Sequence, residues 1–177
     1  MATWNSRGLR GSRLEDMINT TNDVYMEKSL AVVQKIPTPI TPVKMDNESR
    51  HITLAYFEKK STVDYIGVAQ GIPICFDAKE CAKETFPMMN IHEHQIEFMD
   101  SFEAQGGIAF IILEFTNLDE IYYIPLRDIF KFYNRAKNGG RKSFTYDEVD
   151  KSYRIRSQGE AKVHYLEMVN KDLQTRD

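Results

Sequence analysis

Apolar and polar positions follow two rhythms along this chain, and the switches between them predict its elements. Leu14, Met17, Ile18, Thr21, Val24 and Tyr25 recur at helical spacing behind Ser12-Arg13-Leu14-Glu15, which has the Ser-x-x-Glu form of a capping box. A first helix is therefore expected to run to about Lys28. Leu30 to Ile36 reads as a strand ended by Pro37 and Pro39, which cannot continue ladder bonding. A strand pair is expected around Pro42 to Met45 and Ile52 to Glu58, across the polar turn Asp46 to Arg50. Val63 to Ala69 and Gly71 to Lys79 read as two more strands, joined by a tight turn at Gln70-Gly71.

Further along, Cys81 to Asn90 reads as irregular, and a helix from about His92 to Ala104 would bury Ile96, Met99 and Phe102. Ile108 to Phe115 is a nearly continuous apolar run of strand length, the pattern of a central strand covered on both faces. Glu120 to Pro125 would pair with it across Asn117-Leu118-Asp119, followed by a short helix from Ile129 to Ala136. Tyr146 to Lys151 and Tyr165 to Leu173 read as helical, with Tyr153 to Arg156 as an edge strand. This order predicts an α/β fold, a central mixed sheet flanked by helices.

The 177 residues, 42% hydrophobic and 11% aromatic, suit one globular domain spanning 1–177. No apolar run approaches the roughly 20 residues that span a bilayer, and the N-terminus lacks the apolar core of a signal peptide. A cytoplasmic protein is expected, with Cys75 and Cys81 reduced. The net charge of −3 argues against a general nucleic-acid binder, but the charge is unevenly spread. Arg7, Arg10 and Arg13 precede the first acidic residue, giving a basic arm over about 1–11. Arg127, Lys131, Arg135, Lys137, Arg141 and Lys142 face a single Asp128 in their span. Either set suits phosphates; the alternative is a flexible arm and a solvated helix end.

Asp64, followed thirteen residues later by Asp77-Ala78-Lys79, matches the active-site signature of metal-dependent nucleases. Strand alternation puts Asp77 and Lys79 on one face and Ile74, Phe76 and Ala78 on the other, and a hairpin would carry Asp64 beside Asp77. In-line phosphodiester cleavage needs a nucleophilic water, neutralised phosphoryl charge and a stabilised leaving oxygen. Mg²⁺ supplies much of this from a few hard oxygen ligands while keeping its waters, and a neighbouring lysine can orient the water or bear on the phosphorus. With 28% charged residues such spacing arises often by chance, and alone it reads first as a solvated hairpin with surface ion pairs. His92-Glu93-His94 with Cys75 and Cys81 fits no compact zinc site, and Tyr56, Phe57 and Tyr65 read as core or strand-face aromatics.

A longer colinear series narrows the reading. Arg10-Gly11-Ser12-Arg13-Leu14-Glu15, Asn19-Thr20-Thr21-Asn22, Pro37-Thr38-Pro39, Ala55-Tyr56-Phe57, Ser61 to Gly67, Asp77-Ala78-Lys79-Glu80, Phe86 to Ile96 and Gly140-Arg141-Lys142-Ser143 together resemble the RecU family of Holliday junction resolvases, within the PD-(D/E)XK nuclease superfamily. The resemblance implies a restriction-endonuclease-like fold and Mg²⁺, with Mn²⁺ as substitute, held by Asp64 and Asp77 with Thr62 and Gln95 completing the site. It further implies Lys79 as transition-state stabiliser and Glu15 near the metal, beside its capping role. DNA contacts would fall to Arg7, Arg10, Arg13, Arg141 and Lys142, and to Arg50 on a β-hairpin stalk between about Lys44 and Phe57.

The same resemblance implies a homodimer making paired symmetric nicks in a four-way DNA junction, with a RecA-type recombinase and a branch-migration helicase as partners and a nucleoid location. Three features depart from the family pattern: a short stalk carrying Asp46 and Glu48, Asp77 where cellular members have Glu, and net acidity. They would suit a divergent or phage-borne homologue. The expected function is a Mg²⁺-dependent resolvase acting in DNA recombination and repair. The alternatives are a related nuclease acting on other branched, flap or linear DNA, and a non-catalytic DNA-binding modulator of a recombinase.

Overall fold

A computed structural model describes residues 12–46, 49, 51–57 and 62–176. The chain runs α1 (Arg13–Glu27), β1 (Ala31–Lys35), β2 (Ile40–Asp46), β3 (His51–Phe57), β4 (Tyr65–Ala69) and β5 (Ile72–Cys81), then β6 (Thr85–Pro87), α2 (Glu93–Ala104), β7 (Ile108–Phe115) and β8 (Glu120–Pro125). It ends with α3 (Leu126–Lys137), β9 (Ser143–Thr145), β10 (Arg154–Ile155) and α4 (Leu166–Gln174). Six strands form one sheet in the order β1-β4-β5-β7-β8-β10. Its β5–β7 pair is parallel, with α2 in the crossover, and its other pairs are antiparallel. The predicted mixed sheet flanked by helices is the architecture observed.

β7 has all eight residues buried, because helices cover both faces of the sheet. On one face Leu14 and Ile18 of α1 and Met168 and Val169 of α4 pack on Ile74, Phe76, Phe110 and Ile112. On the other, Ile96 and Met99 of α2 and Ile129 and Phe132 of α3 pack on Cys75, Ala109, Ile111 and Leu113. A file of stacked rings, Tyr65, Phe76, Phe110, Tyr123 and Tyr153, crosses the first face with centroid spacings of 4.7, 4.8, 4.4 and 5.5 Å. Each such contact adds about 0.5–1.5 kcal/mol beyond area burial, so the file fixes the lateral register of the strands that carry the candidate site.

Helix α1 begins at the predicted capping box: Glu15 N–H donates to Ser12 Oγ at 3.2 Å and Ser12 N–H to Glu15 Oε2 at 3.1 Å. A third free donor, Leu14 N–H, is taken by Glu80 Oε1 of β5 at 2.9 Å, which ties the helix start to the strand. The Asn19 to Asn22 stretch is fixed by tertiary bonds. Asn19 Oδ1 accepts from Tyr65 Oη–H at 3.0 Å, Thr21 Oγ1 from Val163 N–H at 3.0 Å, and Asn22 Oδ1 from Tyr165 Oη–H at 2.6 Å.

The β4–β5 turn has Gln70 at φ 49° and Gly71 at φ 88°, both central residues left-handed as a two-residue hairpin with right-handed strand twist demands. Gly67 lies opposite Val33, and a Cβ there would meet Val32 O at 2.3 Å and Val33 Cα at 2.7 Å, so β1 can lie against β4 only because the side chain is missing.

The hairpin β2–β3 forms its own two-stranded sheet. Ile40, Val43, Met45, Ile52, Leu54 and Tyr56 on it are exposed. It starts at Ile40, earlier than the sequence suggested, and its strands carry register shifts between Pro42 and Met45. Arg50, Arg7, Arg10 and the arm over 1–11 lie outside the described residues.

Two readings of the chain need correction. Cys81 to Asn90 is not wholly irregular: β6 pairs with β9 and buries Phe86 against Phe144, a contact too short and too distant in sequence to show as periodicity. Tyr146 to Lys151 is not an α-helix but parts of two 3₁₀ turns, Tyr146–Glu148 and Lys151–Tyr153. The side chains of Glu148 and Asp150 cap the starts of these turns at the backbone N–H of Thr145 and Ser152, and extended Val149 and Asp150, at ψ 133° and 109°, keep the two turns apart. Among the described residues no helix is long and apolar enough to cross a membrane.

Candidate active site

The β4–β5 ladder ends with Tyr65 opposite Phe76, and one step further out Asp64 and Asp77 come together. Asp64 N–H donates to Asp77 Oδ1 at 2.8 Å, and Ala78 N–H donates to Asp64 Oδ2 at 3.0 Å, so each carboxylate is clasped by the other strand's backbone. Alternation puts Lys79 on the face of Asp77, where its Nζ lies 2.8 Å from Asp77 Oδ2. From α2, Gln95 Nε2 donates to the same oxygen at 2.5 Å, while Gln95 Oε1 accepts His92 N–H at 3.0 Å and caps the helix. Three donors thus hold Asp77, which is fully buried.

Electrostatics distinguish the two acids. Burial, followed by the neighbouring Asp77 carboxylate, pushes the Asp64 carboxyl up to about 6, against the pull of Ala78 N–H and Lys79. One fully buried and one partly buried carboxylate beside one ammonium group form a site with a surplus of negative charge, which a cation would relieve. Among the described residues no three His, Cys, Asp or Glu side chains group closely enough to hold an ion alone. Two carboxylates nevertheless fit a Mg²⁺-like ion, which keeps several waters. Gln95 here supports Asp77 and caps α2; to ligate an ion its amide would have to turn over. Thr62 is half-buried two residues before Asp64.

Glu15 combines both expectations. It serves the capping box and lies near enough to Asp64 to raise its carboxyl further, but its Oε2 is paired with Lys35 Nζ at 2.9 Å. Lys35 ends β1 opposite Tyr65, and sequence reasoning did not single it out. Its partner is twenty residues away, and the available signal was its position at the strand end next to the candidate hairpin. Glu80 was also passed over, although alternation from Lys79 puts it on the opposite face, where it meets α1.

Among the described residues, most cations that looked available in the sequence are committed. Arg13 pairs with Glu114 at 3.2 Å and Asp119 at 3.1 Å. Arg141 and Arg135 share Glu148, Lys137 pairs with Glu93 at 2.6 Å, and Arg127 pairs with buried Asp172. Lys142 is exposed, and its carbonyl accepts Met88 N–H at 3.0 Å.

Known proteins share this chain's sequence over most of its length. A family model described as Recombination protein U matches residues 9–171. The chain is 44% identical over 167 residues to the Holliday junction resolvase RecU of Limosilactobacillus reuteri, covering 92% of this chain and 82% of that protein. It is 46% identical over 172 residues to the protein of the same name from Leuconostoc mesenteroides, covering 94% and 83%. Among solved structures, it is similar to the Holliday junction resolvase Hjc of Archaeoglobus fulgidus, with a TM-score of 0.37, 10% identity, and 62% and 77% of the two chains covered. With the family model spanning all but the two ends and relatives matching most of its length, this chain belongs to the RecU family.

Proposed function

We propose that this chain is a divalent-metal-dependent endonuclease that resolves four-way DNA junctions by paired nicks in recombination and repair. The observation that carries this reading is the clasp of Asp64 and Asp77 with Lys79 Nζ 2.8 Å from Asp77 Oδ2, in a RecU family member. Asp64 and Asp77 would hold the ion, Mg²⁺ with Mn²⁺ as substitute. When bound, such an ion supplies an acidified water and neutralises phosphoryl charge.

The protein groups divide the remaining work. Gln95 and the Asp64 N–H fix the Asp77 carboxylate, and the two backbone bonds hold the hairpin so that both acids present to one point. Lys79, about one-fifth exposed, carries its ammonium at the rim, where it can turn from Asp77 toward a phosphoryl oxygen or the attacking water. Glu15 with Lys35 bounds the site on the α1 side. Two symmetric nicks require two such sites related by a two-fold axis, so the working form is a homodimer. The projecting hairpin is the element available to enter a junction, and a RecA-type recombinase and a branch-migration helicase are its natural partners, in the cytoplasm on the nucleoid.

A synthetic four-way junction, a Y-shaped duplex and a linear duplex of common sequence provide the test. Wild type should nick the junction in Mg²⁺ and spare the linear duplex, whereas Asp77→Ala should bind the junction and leave it whole. Full nicking by Asp77→Ala would remove the site from the mechanism, and equal cleavage of all three substrates would refute junction selectivity.

A further inference from the structure

We infer that a cleft on the face of the sheet opposite the two aspartates is a second binding site for DNA backbone phosphates. This rests on the proposed action on DNA but concerns surface that the proposed chemistry does not use. The cleft has a volume of about 620 Å³ and lies between α1, the start of β8 and the segment after β10, with Arg13, Met17, Ile121, Ile155, Arg156 and Lys162 among its walls.

The acidic groups around the cleft are engaged elsewhere. Asp119, the acidic wall residue, is taken by Arg13, and Arg154 is paired with Glu120 at 2.7 Å. Glu160, the carboxylate closest in sequence to the loop cations, is turned to Lys28 at 3.7 Å. Arg156 and Lys162 are exposed and have no carboxylate partner among the described residues.

The backbone holds these two charges on one rigid loop. Gln158 and Ala161 exchange N–H···O bonds of 2.9 and 3.1 Å around Gly159, which has φ 58°, and His164 N–H bonds Arg156 O at 3.2 Å. Arg156 and Lys162 line the same cleft, and their like charges repel each other there, a repulsion that an anion would relieve. The apolar wall of Met17, Ile121 and Ile155 suits a sugar edge beside the phosphate.

Position favours DNA over a small free anion. Glu80, next to Lys79, lies opposite Glu114, which lies opposite Ile121 of the cleft, so the cleft is two strands from the catalytic strand at the same end of the sheet. Two strand spacings are about 10 Å, roughly half the width of a duplex. A DNA molecule brought to the aspartates can therefore extend past the end of the sheet and lay a second stretch of backbone in the cleft.

The test is junction binding by fluorescence anisotropy across a salt series in EDTA, comparing wild type with Arg156→Ala/Lys162→Ala and with the charge-preserving exchange Arg156→Lys/Lys162→Arg. Both positions are exposed, and thermal melting checks that folding is retained. The alanine pair should flatten the slope of log K against log salt by about 0.9 for each lost phosphate contact, up to about 2 in all, and weaken binding at least tenfold at low salt. The exchange variant should keep the wild-type slope. An unchanged slope in the alanine pair overturns the inference. So does loss of inorganic phosphate binding with DNA binding intact, which would make the cleft a site for the free anion. A wild type that binds but never nicks would sink the proposed function and leave this test standing.

Discussion

Replacing Asp64 with Asn should make the metal-free protein more stable near neutral pH, because the site holds a carboxylate where the fold disfavours one. Burial and the Asp77 charge lift this carboxyl from 3.8 to about 6. At about 1.36 kcal/mol for each pH unit between those two values, ionised Asp64 costs the native state about 3 kcal/mol.

The sign follows from proton binding. The native state holds this proton more tightly than the unfolded chain, so the penalty is absent below pH 3.8, grows as the pH rises and is fully present above about 6. Asn keeps an oxygen for Ala78 N–H, as the protonated carboxyl does, but exchanging one partly buried side chain for another carries the common cost of a substitution, about 1 kcal/mol. The expected net gain for Asp64→Asn at pH 7.5 in EDTA is about 1–2 kcal/mol, vanishing near pH 4.

Urea unfolding of both proteins across that pH range measures it. The difference between the two curves isolates Asp64 from acids with opposite pH dependence, such as Glu148, held down to about 2 chiefly by its hydrogen bond to Arg135. Adding Mg²⁺ should reverse the order, since only wild type gains binding free energy, about 2.7 kcal/mol at a hundredfold excess over Kd. If Asp64→Asn is no more stable than wild type at pH 7.5 in EDTA, the picture of two opposed carboxylates is wrong.

Two further substitutions probe the supports of the site. Gln95→Ala removes a buried donor from Asp77 and the cap from α2, and should cost about 1–3 kcal/mol in urea unfolding. It should also weaken metal affinity about tenfold to hundredfold by titration calorimetry; unchanged affinity would show that Asp77 is positioned without it. Gly67→Ala drives a methyl group into the β1 backbone and should destabilise by about 1–3 kcal/mol, because Val32 O and Val33 Cα have no flexible side chain to yield. A neutral Gly67→Ala would mean that β1 can lift from β4 without cost.

What could be read from the sequence was what local periodicity encodes. The period of two along β5 placed Asp77 and Lys79 together, the Gln70-Gly71 turn set the register that brings in Asp64, and the apolar run of β7 announced a central strand. The fate of charge was not readable, because it is settled by partners far apart in the chain. Arg13 meets Glu114 across 101 positions, and Arg127 meets Asp172 across 45, so a count of local cations overstated the charge left free at these positions. Arg156, at the end of the expected edge strand, and Lys162 drew no attention as a pair, which became visible only once the neighbouring acids were seen to be engaged elsewhere.

The length of the side chain at position 77 matters to this bonding pattern. A carboxylate on the shorter Asp arm stays close to its own strand, and there it reaches Asp64 N–H, Gln95 Nε2 and Lys79 Nζ at once. A Glu arm adds one methylene, which would carry the oxygens past the Asp64 amide and break the reciprocal clasp. The shorter residue therefore ties the Asp77 carboxylate to the hairpin register itself, so that the turn at Gln70-Gly71 and the gap at Gly67 act on the geometry of the oxygens proposed to hold the ion. On the proposed mechanism, activity and hairpin stability are coupled through these backbone hydrogen bonds, and the β1–β4 contact, which ends at Lys35 and its pair with Glu15, supports the site.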